Sequence, residues 1–198
     1  MNSKLQTDPL LFLRKFVRHG AQVASIAPSS RSLAEALCRQ IDPNQPQIIL
    51  ELGAGTGAVT QVALARMNPF SHLVAVEKDP DFVRILRHRC PRAEVIEADA
   101  AQTSERLFKL GIHRVDVVIS GLPIPSLPRR VNQQIFACIR DVAYKSAFSQ
   151  LTVMPWVYYR LYSGLFHEVN FMPVWQNLPP GGVYHCRGLR NNFAQALP

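Results

Sequence analysis

The 198-residue chain is 47% hydrophobic, enough for the core of one domain, and it shows no repeats or low-complexity stretches. Its net charge of +8 favours a polyanionic partner, either an anionic membrane surface or a nucleic acid. Four isolated cysteines (Cys38, Cys90, Cys138, Cys186) lack metal or disulfide spacing, which sets aside zinc and disulfide scaffolds and points to a reducing cytoplasm.

Asp8-Pro9 opens the first helix, with Asp at the N-cap and Pro at the first helical position. Residues 10–19 are amphipathic. Leu10, Phe12, Leu13, Phe16 and Val17 share one broad face, and Arg14, Lys15 and Arg18 cluster on the other. No acid lies between Asp8 and Glu35, so the polar side is purely basic, the pattern of an interfacial helix. A helix docked on a sheet also needs an apolar face, and that reading stands beside it. Small residues at 24–30 lead to a second helix, capped by Ser30 or Ser32 and running to about Ile41. Asp42-Pro43-Asn44-Gln45-Pro46 breaks the chain before the first strand.

Ile48-Ile49-Leu50-Glu51-Leu52 is an apolar run of strand length with an acid, Glu51, next to its end. Gly53-Ala54-Gly55-Thr56-Gly57 and an apolar-periodic segment to about Met67 follow it. Strand, glycine turn and helix form the first unit of a doubly wound sheet, with a ligand at the carboxyl end of that strand. Gly53, Gly55 and Gly57 leave room for a flat ligand against the backbone. Gly53, Gly55 and Ala58 also satisfy dinucleotide spacing formally, so NAD(P) competes. Glu51 separates the two, because a carboxylate ending a buried strand is costly without a cationic or hydrogen-bonding partner. The acid-x-G-x-G-x-G arrangement resembles the first motif of class I S-adenosylmethionine methyltransferases, whose cofactor carries an ammonium and a sulfonium.

Asn68-Pro69 turns into a second strand, His72–Glu77, and Glu77 follows Glu51 by 26 residues. In a doubly wound fold an acid there accepts hydrogen bonds from ribose hydroxyls. Asp79-Pro80 starts a helix to about Cys90, and a third strand over 93–98 ends at Asp99-Ala100. The methyltransferase resemblance implies that this last pair reads the adenine. It extends the cofactor set to Ser29, Ser30, Glu51, Gly53, Ala54, Gly55, Gly57, Glu77, Lys78, Asp99, Ala100 and Ser120.

A short helix over 103–110 and a strand over 115–119 lead to Ser120-Gly121-Leu122-Pro123. In class I methyltransferases this loop faces the methyl group. Enzymes acting on nucleic-acid amino groups carry a carboxamide or carboxylate and an aromatic residue there, and this chain has neither, which argues against a nucleobase substrate. A long helix over 131–147 and a fifth strand over 148–153 come next. Pro155-Trp156-Val157-Tyr158-Tyr159-Arg160-Leu161-Tyr162 then reads either as core or as an apolar substrate mouth. Two strands, 168–174 and 182–187, close the sheet. The uncharged stretch 169–186 contains three prolines and cannot span a bilayer. From Arg129 onward there are seven Lys/Arg and two Asp/Glu, so the basic excess lies away from the strand-end acids.

Phe12-Leu13-Arg14, Ile26-Ala27-Pro28-Ser29-Ser30-Arg31-Ser32-Leu33-Ala34, the glycine motif, Ser120-Gly121-Leu122-Pro123 and Asn177-Leu178-Pro179-Pro180 together make a more specific pattern. It is similar to the bacterial phospholipid N-methyltransferases, class I enzymes that methylate phosphatidylethanolamine at the cytoplasmic membrane face. The resemblance covers nearly the whole chain. It departs after the fifth strand, where Gln150-Leu151-Thr152-Val153-Met154 replaces a Gln-Phe-Thr-Tyr-Gly-like run, and this keeps an ornithine lipid open as the substrate.

What the resemblance implies is one Rossmann-like, seven-stranded α/β domain over 1–198, with a helical cap at 1–41 and a cofactor core at 47–198. S-adenosylmethionine is the expected cofactor, S-adenosylhomocysteine the product, and no metal is expected. Ser120, Gly121 and Leu122 are expected to meet the amine, with His185 and Tyr184 foremost among the proton acceptors (His167 and His19 are also candidates). Arg14, Lys15, Arg18, Phe12, Phe16, Tyr158, Arg160 and Arg187 are expected to hold lipid or membrane. The expected form is a peripheral monomer on the inner membrane face, with no nucleic-acid partner. An rRNA adenine dimethyltransferase and a non-catalytic lipid- or RNA-binding module are the rivals.

Overall fold

A computed structural model describes residues 28–152, 158–176 and 181–197, with side chains from Arg31 onward. The helices are α1 (Pro28–Leu37), α2 (Ala58–Arg66), α3 (Pro80–Arg89), α4 (Thr103–Lys109), α5 (Arg129–Ala143), α6 (Tyr159–Leu165) and α7 (Phe193–Ala196). The strands are β1 (Ile48–Leu52), β2 (His72–Glu77), β3 (Glu94–Glu97), β4 (Val117–Ser120), β5 (Ala147–Thr152), β6 (Phe166–Val174) and β7 (Gly181–Leu189).

They form one seven-stranded sheet in the order β3-β2-β1-β4-β5-β7-β6. β1 pairs in parallel with β2 on one side and β4 on the other, while β7 inserts antiparallel between β5 and β6. The chain reverses direction across the sheet between β1 and β4. That switch point opens a crevice at the carboxyl ends of these two strands, the place where open α/β sheets bind ligands.

The parallel strands are continuously apolar because helices cover both of their faces. On one face Ile49, Leu73, Val117 and Ala147 pack under Leu33 and Leu37 of α1 and Ala63 of α2. On the other, Leu50, Val74, Val118 and Phe148 meet Leu107 of α4, Ile135, Phe136 and Ile139 of α5, and Leu165 of α6. No helix among the described residues is long and apolar enough to cross a membrane.

Several boundaries differ from the sequence expectation. Ser30 and Ser32 lie inside α1, so neither is its N-cap, and the Ser32 hydroxyl donates to Gln176 Oε1 at 2.8 Å. α5 stops at Ala143, four residues short of the expected 147. Ser146 N turns back to the Ala143 carbonyl, and its hydroxyl bonds to the Val115 carbonyl. β4 begins only at Val117, because Val115 N is taken by Val142 O and the Asp116 side chain accepts from Ile48 N. Tyr159–Leu165, read from sequence as part of an aromatic cluster, forms α6. The expected first helix at 10–19 and the Asn177-Leu178-Pro179-Pro180 segment lie outside the described residues.

Candidate active site

The glycine loop is held from both sides. Gly53 N and Ala54 N donate to the Val76 carbonyl at 2.9 and 3.2 Å, which ties the loop to the end of β2. Gly53 has φ 74°, and a Cβ there would stand 2.7 Å from Leu122 Cδ2, so the loop after β4 lies directly against it. Gly57, at φ 91°, begins α2, and a Cβ on it would meet Leu86 Cδ1 at 2.8 Å. Only glycine takes these conformations without strain, and the missing side chains bring three segments within van der Waals contact. The Thr56 hydroxyl in the same loop is buried without a hydrogen-bond partner among the described residues.

The strand-end acids take three different environments. Glu77 is 9% exposed, and its Oε2 accepts from Gly55 N at 2.8 Å while its Oε1 accepts from Lys78 N at 2.8 Å and Asp79 N at 2.9 Å. One carboxylate therefore organises both the glycine loop and the start of α3, and Oε2 keeps a lone pair for a further donor. Glu51 points with Ile49 to the α2 side of the sheet, where it is 2% exposed and accepts from the Thr60 hydroxyl at 2.7 Å. Its pKa is pushed up to about 8, mainly by burial, with the Glu77 charge adding and the Thr60 bond opposing. The partner required for this strand-end acid is thus supplied by the chain itself. Asp99 is exposed and caps the turn at 100–102 through Ala101 N at 3.0 Å, beside buried Ala100. Lys78 is exposed.

The segment after β4 is pinned at almost every backbone group. Gly121 N donates to Leu52 O at 3.0 Å, and Leu122 N reaches the buried Ser120 hydroxyl at 3.4 Å. Leu122 O accepts from Gln150 Nε2 at 2.7 Å and from Ile124 N at 2.9 Å. Asn132 of α5 donates its Nδ2 to Ile124 O and Leu127 O, fixing the following turn. Gln150 was not singled out as a site residue from sequence, although its place in the run after the fifth strand was the available signal. Its Nε2 also donates to Leu151 O at 3.0 Å, so two carbonyls fix the amide and leave the buried Oε1 without a donor among the described residues.

The structure does not bring the remaining expected residues to this loop. Tyr184 pairs in register with Gln150, but it is fully buried between the rings of Tyr162 and Phe171, with centroids at 4.6 and 4.9 Å. His185 is the next residue along β7 and therefore faces the opposite side, under α1. Burial and the Arg39 charge lower its pKa to about 4, which leaves it a poor proton acceptor. Arg187 stands two residues further from the carboxyl end, on that same opposite side. Tyr158 packs half-buried against the main core and Arg160 is exposed on α6. Phe12, Arg14, Lys15, Phe16, Arg18 and the side chains of Ser29 and Ser30 lie outside the described residues.

Sheet order, glycine loop and strand-end acids together define a nucleotide-type cofactor fold of the doubly wound class. The methyltransferase domain family matches residues 49–145. The chain is 43% identical over 190 residues to the ornithine lipid N-methyltransferase of Singulisphaera acidiphila, covering 94% of this chain and 99% of that protein. It is 30% identical over 148 residues to the ribosomal RNA small subunit methyltransferase A of Bordetella pertussis, covering 67% of this chain but 55% of that protein. Among solved structures, the Burkholderia thailandensis 1,6-didemethyltoxoflavin-N1-methyltransferase, determined with S-adenosylhomocysteine, superposes with a TM-score of 0.65 at 15% identity, over 96% of this chain and 94% of that one. A Bacillus cereus O-methyltransferase superposes at 0.62, with 11% identity over 93% of each chain.

The chain belongs to the class I S-adenosylmethionine-dependent methyltransferases, in the family of the Singulisphaera lipid N-methyltransferase. The crevice fits that cofactor. Its glycines leave the backbone bare, Glu77 Oε2 keeps acceptor capacity, and the Thr56 hydroxyl awaits a partner.

Proposed function

We propose that this enzyme methylates the primary amine in the head group of an aminolipid, an ornithine lipid in preference to phosphatidylethanolamine. The observation that carries this reading is the 43% identity to the ornithine lipid enzyme over 99% of its length. The similarity to the ribosomal RNA enzyme stops at 55% of that protein, and the loop at 120–123 lacks the carboxamide and aromatic platform that a base requires.

Bound in the crevice, S-adenosylmethionine supplies an activated methyl on a sulfonium. An alkyl ammonium, with a pKa of about 10, must lose a proton to solvent water before its nitrogen can attack. The buried, uncharged Ser120 and Gln150 favour that loss, because a low-dielectric surround disfavours the charged form. Gln150 Oε1 accepts an N–H of the neutral amine, while the clamped Leu122 backbone fixes where that carboxamide stands. Small side chains at Ser120 and Gly121 admit the head group, so positioning and water exclusion supply most of the rate.

In the same reading the protein docks on an anionic membrane surface from the cytoplasmic side through residues 10–19. Each of Arg14, Lys15 and Arg18 contributes on the order of 1 kcal/mol. Changing all three to Glu is expected to weaken cosedimentation with anionic vesicles by about a hundredfold or more.

The deciding experiment offers labelled S-adenosylmethionine with micellar ornithine lipid, phosphatidylethanolamine and small-subunit ribosomal RNA in parallel. Label is expected in ornithine lipid with the highest kcat/KM. Preferred labelling of phosphatidylethanolamine replaces the head group in this proposal, and label confined to RNA ends the lipid reading.

A further inference from the structure

We infer that a groove on the α1 side of the sheet, remote from the methyl-transfer loop, is a binding site for a phosphate-type oxyanion. The groove has a volume of about 640 Å³ and runs between the Arg39–Pro43 turn and the outer strands β6 and β7. Arg39, Arg66, Arg187 and His185 line it, with Asp42 as the one carboxylate.

A hydrogen-bond chain fixes which proton His185 presents. Gln40 Nε2 lies 3.1 Å from the Phe148 carbonyl, which can only accept, so this amide atom is the donor. The same Nε2 donates to Ser149 Oγ at 3.2 Å. The buried Ser149 O–H has no other acceptor among the described residues, and it is therefore directed to His185 Nδ1, 3.1 Å away. Neutral His185 must therefore carry its proton on Nε2. That Nε2–H is buried and has no acceptor among the described residues, a costly state for a donor unless something in the groove receives it.

The surroundings specify the acceptor's charge. Arg66 is held in place by the carbonyls of Ile41 at 3.0 Å and Arg39 at 3.3 Å, and it forms no ion pair among the described residues. Arg39 and Arg187 are exposed at the groove, and neither forms an ion pair among the described residues. Arg39 Nη1 donates to the weak acceptor Met172 Sδ at 3.3 Å. Asp42 is turned to its own loop, where Oδ1 accepts from Asn44 N and Nδ2. Guanidinium forks together with one N–H match a tetrahedral phosphoryl group better than a water, which brings no charge. Ser149 and Gln150 are adjacent on β5 and point to opposite faces, so this groove and the Leu122 clamp lie on opposite sides of the same strand. The inference does not depend on the identity of the methyl acceptor.

The phosphoryl group comes from a lipid head group or from a soluble phosphate, and a titration distinguishes them. The full-length protein, 15N-labelled at histidine and assigned with His185→Gln, is titrated with inorganic phosphate, with dihexanoyl phosphatidylglycerol, and with chloride at matched ionic strength. A saturable shift of the His185 Nε2 resonance with phosphate is expected. Tighter binding of the short-chain lipid assigns the site to a head group, whereas equal or weaker binding assigns it to soluble phosphate. The Arg39→Gln/Arg187→Gln double variant, checked for an unchanged melting temperature, should bind about tenfold more weakly. Where that variant melts early, Arg187→Gln alone, on an exposed strand position, carries the same comparison. An equal shift with chloride, no shift with either phosphate, or wild-type affinity in the folded variant overturns the inference.

Discussion

Gln150 Nε2 donates to the Leu122 carbonyl at 2.7 Å, so the loop after β4, proposed to face the transferred methyl, is held by the neighbouring strand and not only by its own turn. Gln150→Leu removes the donor to both Leu122 O and Leu151 O; Leu122 O keeps Ile124 N, so what is lost is the tie between the loop and β5, at about 1 kcal/mol per hydrogen bond. The expected outcome is a kcat lower by at least tenfold with S-adenosylmethionine affinity within a few-fold of wild type, as read by steady-state kinetics beside calorimetry.

Gly53 and Gly57 separate catalysis from stability. A methyl at 53 meets only the flexible end of Leu122, yet it must hold φ 74° and push that loop residue aside. Gly53→Ala should therefore lower kcat and cofactor affinity together while costing only about 1–2 kcal/mol of stability. A methyl at 57 meets Leu86 Cδ1 at 2.8 Å and Cys90 Sγ at 3.0 Å, both in the packed contact with α3. Gly57→Ala should show the larger fall in denaturation midpoint of the two. Equal midpoints for both variants would contradict this division.

These contacts also mark what could be read in advance. The bounds of β2 follow from Asn68-Pro69 before it and Asp79-Pro80 after it, since turn and cap chemistry are local. Glu51 and Glu77 were legible as acids at the ends of apolar runs, one next to the end of β1 and one closing β2. The antiparallel strand β7 was found, but its alternation alone does not say which residue faces which layer. From sequence, His185 is expected as a proton acceptor and Arg187 as a cation for lipid or membrane, and the register against β5 sets both on the face away from the loop at 120–123. Gln150 stayed invisible as a clamp because its role depends on a carbonyl 28 residues earlier. α6 was hidden by composition: its tyrosines read as a cluster, and only burial of Tyr162 and Leu165 gives the helix an inward face.

Glu77 is expected to be costly to lose on two counts. Its carboxylate accepts from the N–H groups of Gly55, Lys78 and Asp79, so Glu77→Ala strands three backbone donors as well as removing the acceptor proposed for the cofactor ribose. Charge-assisted bonds of this kind are worth roughly 1.5–3 kcal/mol each. The variant should lose cofactor affinity by at least tenfold and melt earlier even without cofactor. A normal melting temperature with lost affinity would show that the backbone bonds contribute little and that the ribose contact alone matters.

Glu51 makes the stability of the fold depend on pH in an unusual direction. Burial raises its pKa from the ordinary 4.5 to about 8, so the folded chain binds this proton more tightly than the unfolded chain does. The stabilising effect of that proton is therefore complete below about pH 4.5 and is lost as pH rises through 8, opposite to a carboxylate held in an ion pair. Other groups titrate over the same range, so the comparison must be with an isostere. Glu51→Gln keeps the shape of the protonated acid, and its carboxamide oxygen can still accept from the Thr60 hydroxyl. The wild type and this variant should have similar denaturation midpoints near pH 5. Between pH 6 and 9 the wild type should lose stability that the variant retains, by an amount on the order of a few kcal/mol. Guanidinium melts at pH 5, 7 and 9 read this directly from the difference between the two proteins. Parallel pH profiles would show that Glu51 is charged in the folded state, with its charge balanced by a cation other than the groups around Thr60.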